Sequence, residues 1–204
     1  MNERLVLSEP ILPATTQAAD GMPRRAWTVA EIEAMVAAGI IPEHERFELI
    51  GGEVVPMSPK GARHETVKYE LNKHFQRTVP DEFAVIPETT LQLDEKSFLE
   101  PDFCVYPGEL KPGEIRGYDV LLAIEVADSS LSYDRGRKIG LYAAYGIAEV
   151  WVVDVKTLTT RVHRYLGAEG YREVFEAGMA ETLVSARVPS LSLNLAALGL
   201  QTSL

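Results

Sequence analysis

The chain has a single cysteine, Cys104, in 204 residues. A lone thiol forms no disulfide within the chain and builds no cysteine-rich zinc site. No apolar run approaches the ~20 residues that a bilayer-spanning helix needs. Residues 1–10 carry Glu3, Arg4 and Glu9 and hold no signal-peptide core. The sequence has no G-x-S-x-G, no G-x-x-x-x-G-K-[ST] and no G-x-G-x-x-G, and the Gly136–Gly140 pair lacks phosphate-loop order. Its four histidines, His44, His64, His74 and His163, form no H-E-x-x-H. Hydrolase-elbow, nucleotide-loop and zincin chemistry thus find no support. A cytoplasmic protein with no membrane attachment and no organic cofactor is expected. Basic residues are also scarce: 20 Lys and Arg face 30 Asp and Glu, a net charge of −10. That balance argues against a histone-like, non-specific nucleic-acid binder. Hydrophobic residues make up 46% of the chain, enough for a sizeable core.

Residues 1–25, punctuated by Pro10, Pro13 and Pro23, read as a flexible arm, and residues 26–204 as one domain. Thr28-Val29-Ala30-Glu31 has capping-box spacing, with Trp27 placed to staple onto Ile32 and Gly39 as the stop. Arg46 to Met57 reads as a hairpin turning at Gly51-Gly52. That turn pairs Ile50 with Glu53 and Glu48 with Val55. Glu48 and Glu53 then share one face, and Phe47, Leu49 and Val54 the inward one. A second helix spans Ala62 to Arg77, with Val67, Leu71 and Phe75 on one stripe and Pro80 beyond it. Strands follow at Phe83–Leu93, Asp102–Tyr106 and Tyr118–Ala127. A helix capped by Ser130 or Ser132 runs to Tyr145, with Gly146 past its end. Glu149–Val155 is another strand, and a peripheral hairpin surrounds Gly167 and Gly170. The tail from Leu183 is weakly patterned. Tyr118–Val155 forms a β-α-β unit, which predicts a parallel pair within an α/β fold with a mixed sheet.

Two apolar strands each carry one carboxylate. Asp102 follows Pro101 ahead of Phe103-Cys104-Val105-Tyr106, and Glu125 interrupts Leu121-Leu122-Ala123-Ile124-Glu125-Val126. A carboxylate there is costly to desolvate unless it is paired, hydrogen-bonded or bound to a metal. Two on neighbouring strands can hold a divalent cation through oxygen, with Mg²⁺ suited and Mn²⁺ able to substitute. The competing reading pairs Glu125 with a lysine or arginine and makes Asp102 a turn cap. Asp134, Lys138 and Tyr142 are spaced i, i+4, i+8 on one helix face near the end of the Glu125 strand. Lys138 is the candidate to approach a metal-bound water or the phosphate; a solvated Asp134–Lys138 pair is the alternative. Cys104, between Phe103 and Val105, reads as a packed hydrophobe rather than a nucleophile.

Pro101-Asp102, a short strand and Glu125-Val126-Ala127 resemble the PD-(D/E)XK nuclease signature. The flanking text narrows the match. Arg46-Phe47-Glu48-Leu49-Ile50-Gly51-Gly52-Glu53, then Met57-Ser58-Pro59 with His64, are similar to the opening blocks of the Uma-type restriction endonuclease family. Tyr133-Asp134-Arg135-Gly136-x-Lys138, Tyr142 and Gly146-Ile147-x-Glu149-Val150-Trp151-Val152-Val153-Asp154 resemble its last block. The resemblance covers roughly residues 27–166. It implies a restriction-endonuclease-like core of helix, three strands, helix and strand. It also implies metal-dependent phosphodiester hydrolysis, with Asp102 and Glu125 as metal ligands. One position departs: the motif lysine two residues after the glutamate is Ala127, and Lys138 is its expected replacement. Glu48 and His64 match family positions: Glu48 is a candidate metal or water contact and His64 a candidate phosphate contact or acid, while Glu53 reads as a turn carboxylate. Glu88 is a candidate third ligand.

DNA is the expected substrate and a homodimer the expected assembly. Residues 60–77 carry Lys60, Arg63, Lys68, Lys73 and Arg77 against Glu65 and Glu70, and Arg135 and Arg137 flank Lys138. Arg63, Lys68 and Arg135 are candidate phosphate contacts; solvated helix faces are the alternative. Two other functions fit the residues. One is a non-catalytic DNA- or protein-binding module that keeps the fold. The other is a hydrolase of a different phosphoester.

Overall fold

A computed structural model describes residues 25–128 and 136–202. Except for Arg25, the expected N-terminal arm lies outside them, as do Ser130, Ser132, Tyr133, Asp134 and Arg135. No helix among the described residues is long and apolar enough to cross a membrane.

Helix α1 (Val29–Ala37) starts with the expected capping box, in which the Thr28 hydroxyl accepts from the Glu31 N–H and Glu31 accepts from the Thr28 N–H. Strands β1 (Phe47–Ile50) and β2 (Glu53–Pro56) form the hairpin with Ile50 opposite Glu53 and Glu48 opposite Val55, as the glycine turn predicts. Gly51 and Gly52 both take positive φ, which glycine adopts without strain. The inward face differs from expectation. All four residues of β1 are buried, whereas Val54 is exposed. Phe47 and Leu49 pack beneath α1, while Ile50 joins the cluster under the main sheet. Glu48 therefore points into a covered interior.

Helix α2 (Ala62–Thr78) buries His64, Val67, Leu71 and Phe75 on one stripe. Burying each large apolar side chain of that stripe stabilises the fold by roughly 2 kcal/mol. The run expected as one strand from Phe83 to Leu93 is two. β3 (Phe83–Pro87) joins the main sheet, and β4 (Leu91–Asp94) pairs with β5 (Ser97–Leu99) in the small one. The break falls at Glu88, whose φ of +50° no strand continues through. Next come β6 (Phe103–Pro107), β7 (Leu122–Ala127), helix α3 (Arg137–Ala144) and β8 (Val150–Asp154). β9 (Thr159–Gly167) and β10 (Gly170–Ala177) form the edge hairpin, and β11 (Leu183–Val184) pairs with β12 (Ser192–Leu193).

The main sheet runs β10-β9-β8-β7-β6-β3, and the small sheet β2-β1-β5-β4. Within the main sheet β7 and β8 are parallel, joined through α3 as the β-α-β reading requires, and the other neighbours are antiparallel. Residues of β7 alternate. Leu122, Ile124 and Val126 face the α2 side, and Ala123 and Ala127 the α3 side. Glu125 thus faces α3. The tail is better ordered than its pattern suggests, since Val188, Leu191, Leu193 and Leu195 are buried in the α2-side core.

Candidate active site

Phe103 stands opposite Ile124 at the end of the β6–β7 ladder, and Asp102 and Glu125 are the next residues along the two chains. Both carboxylates are buried. Each is already held by hydrogen bonds and cations. The Val126 N–H donates to Asp102 Oδ2 at 2.8 Å. His64 Nε2, one turn into α2, lies 3.4 Å from the same oxygen, and Lys60 Nζ lies 3.1 Å from Oδ1. Burial alone would raise the Asp102 carboxyl. The His64 hydrogen bond, the Lys60 charge and the Val126 N–H together overcome it and hold the group at about 2.

Glu125 receives two side chains from α3. Lys138 Nζ lies 2.9 Å from its Oε1, and the Tyr142 hydroxyl donates to the same oxygen. Their spacing of four puts them on one helical face, and both are buried. Burial first, then the Glu125 charge, pushes the Tyr142 hydroxyl well above its usual value, so it stays a donor. Lys138 also reaches Glu48 Oε1 at 2.8 Å, and the Glu100 N–H donates to that oxygen at 3.1 Å. The ammonium therefore bridges Glu48 of the small sheet and Glu125 of the main sheet. Lys138 is not solvated, and Glu125 does pair with a lysine. Ala127, in the motif-lysine position, is fully buried in the same apolar cluster as Tyr142.

The remaining candidates lie further out. Glu88 is partly exposed and contacts Lys60, Lys68 at 2.9 Å and Arg46 at 3.2 Å. Burial raises its carboxyl, but Lys60 and Lys68 lower it to about 2. Lys68 also pairs with Glu65 at 3.1 Å, and Arg63 donates to the carbonyls of Val155 and Gln201. Neither presents an unoccupied charge to solvent. Asp134 and Arg135 lie outside the described residues. Lys60 is a site residue that the sequence did not single out; it stands in an irregular segment, where no periodicity marks it. Burial pushes the Cys104 thiol up, and Glu125 adds to this, so it remains protonated.

Among the described residues no three histidine, cysteine or carboxylate side chains gather as a metal cage. Two buried carboxylates carried by adjoining strands, offering only oxygen donors, nevertheless suit a hard divalent ion that keeps several waters.

A six-stranded mixed sheet with α2 and α3 on its two faces, and paired carboxylates on adjacent strands, defines an α/β fold of the nuclease type. The chain belongs to the Uma2 family, described as putative restriction endonuclease, whose model matches residues 29–196. A crystal structure of a putative nuclease belonging to DUF820 from Anabaena variabilis ATCC 29413 is similar. It has a TM-score of 0.66 and 16% identity, covering 84% of this chain and 96% of that one. At that identity the likeness shows the fold. No curated protein matches the sequence.

Proposed function

We propose that the protein is a cytoplasmic, divalent-metal-dependent endonuclease that hydrolyses phosphodiester bonds in DNA. The observation that carries this reading is the pair Asp102 and Glu125, buried at adjacent strands with an ammonium against Glu125. These two carboxylates would hold Mg²⁺, or Mn²⁺ in its place. A bound ion of this kind polarises a phosphoryl oxygen and lowers the pKa of a coordinated water. The chain's own residues supply the rest. Tyr142 and Lys138 fix the Glu125 carboxylate in one orientation, and His64 and the Val126 N–H fix Asp102. Lys138 places a positive charge where the attacking hydroxide or the transition state gathers negative charge. Glu48 holds that ammonium from the opposite side. Cutting both strands calls for two such sites, which a homodimer provides.

Plasmid cleavage in Mg²⁺ or Mn²⁺ tests the reading. Wild type should nick DNA, while Asp102→Asn and Glu125→Gln should lose roughly a hundredfold or more. Equal nicking by all three proteins would sink it. Turnover of small phosphoesters but not DNA would move the substrate class. A non-catalytic binding module is the second reading, favoured by the absence of a lysine at Ala127 and by cations already seated on both carboxylates. DNA binding without any metal uptake is its signature.

A further inference from the structure

Two ammonium groups bridge carboxylates in this site, and their settings differ. Lys138 sits between Glu48 and Glu125 on a regular helix and is buried. Lys60 sits between Asp102 Oδ1, at 3.1 Å, and Glu88 Oε1. Its backbone belongs to the irregular segment between β2 and α2, just before Gly61, whose N-cap position carries no side-chain cap. The Lys60 side chain keeps some solvent contact. It lines an open cleft of about 630 Å³, shared with Ser58, Arg46 and Lys68. A lysine bridging two acidic groups, on an irregular connection and beside an open cleft, has both the position of a bound cation and room to leave it.

Resting on the proposed metal site, we infer that Lys60 is a built-in counter-ion for Asp102, which an incoming divalent ion must displace into the cleft. Until displacement it neutralises Asp102. Its ammonium and a divalent ion compete for the same carboxylate oxygen, because two cations at contact distance on one buried oxygen repel strongly. Asp102 stays anchored throughout by the Val126 N–H and His64, so withdrawal of Lys60 leaves the ligand in place. Lys138 has no such exit, being closed in by Glu48, Glu125 and Tyr142. Metal affinity in the wild type is therefore set below what the carboxylates alone would give.

Calorimetric titration with Mn²⁺ in the absence of DNA tests this. Lys60→Met, which keeps the stem and removes the charge, should bind Mn²⁺ on the order of tenfold tighter than wild type. Lys60→Arg should bind no tighter than wild type. Adding Asp102→Asn to Lys60→Met should abolish the gain, and circular dichroism establishes that each variant is folded. Should wild type bind Mn²⁺ and Lys60→Met bind it equally or more weakly, the counter-ion role is wrong and the metal site stands. If neither protein takes up Mn²⁺ at millimolar concentration, both readings fall together.

Discussion

Asp102 is a buried carboxylate that the fold prefers ionised, and this has a pH signature. Its pKa lies at about 2 in the folded chain, against an ordinary carboxylate value in the unfolded one. A depressed pKa means that the unfolded state binds the proton first. The stabilisation is complete above about pH 4 and disappears as pH falls through 2. It amounts to about 2 kcal/mol. Urea unfolding of wild type between pH 5 and 2 should show that decline, and Asp102→Asn should flatten its slope. Tyr142 supports a second prediction. Tyr142→Phe removes a buried hydrogen bond to a charged group and should cost about 1.5–3 kcal/mol in denaturant unfolding. It also frees Glu125 to rotate, so cleavage should fall more than DNA affinity. At this scale the sequence was informative wherever chemistry interrupts a pattern. Glu125 stands out because an ionisable group inside an apolar strand needs a partner, and Lys138 with Tyr142 stands out because helical spacing aligns them. Lys60 was not legible, since its contact with Asp102 spans 42 residues and arises from where a loop lands.

Among the elements, the β1–β2 hairpin is the one whose turn chemistry has the widest reach. The Gly52 carbonyl accepts from the Trp27 N–H at 2.9 Å, and the Gly52 N–H donates to the Lys96 carbonyl at 2.7 Å. A Cβ on Gly52 would meet Ala26 Cβ at 2.6 Å and Trp27 N at 2.7 Å, on a backbone with φ of +85°. Gly52→Ala should therefore cost about 2–3 kcal/mol, read as a lowered urea midpoint. Because β1 carries Glu48, the same variant should loosen Lys138, visible as weaker protection of α3 amides in hydrogen exchange. The glycine pair fixed this hairpin's register from sequence, since a two-residue primed turn allows one pairing. Burial of Glu48 was not legible, because covering β1 on both faces depends on where α1 and the main sheet close over it. Glu88 gave no warning either. A non-glycine residue at positive φ is an outcome of tertiary contacts with Arg46, Lys60 and Lys68, and its side chain carries no such signal. The tail from Leu183 lacks period because its short strands and turns bury single side chains against α2 rather than a repeating face.

Over the whole molecule, the charge of −10 opposes any polyanion. The lysines of α2 sharpen this, since Lys68 and Lys73 are paired with glutamates and add little outward positive potential. DNA affinity measured by fluorescence anisotropy should be weak. It should need a divalent ion and fall by roughly tenfold or more between 50 and 200 mM salt. Affinity that survives in EDTA at high salt would contradict this picture. The same global view gives Glu149 its place. It is buried and accepts hydrogen bonds from the Trp151 indole at 2.8 Å, the Ser185 hydroxyl at 2.9 Å and the Ala186 N–H at 2.8 Å, clasping the tail to β8. The chain has two tryptophans, and each marks a different seam. Trp27 lies where the segment before α1 meets the hairpin turn, under the Arg25 guanidinium, and Trp151 lies where the tail meets the main sheet. Emission from a Trp27→Phe protein would thus follow tail undocking by itself, and emission from a Trp151→Phe protein the small sheet. The molecule carries its own pair of optical probes, sited to reveal whether its two sheets come apart together or in turn.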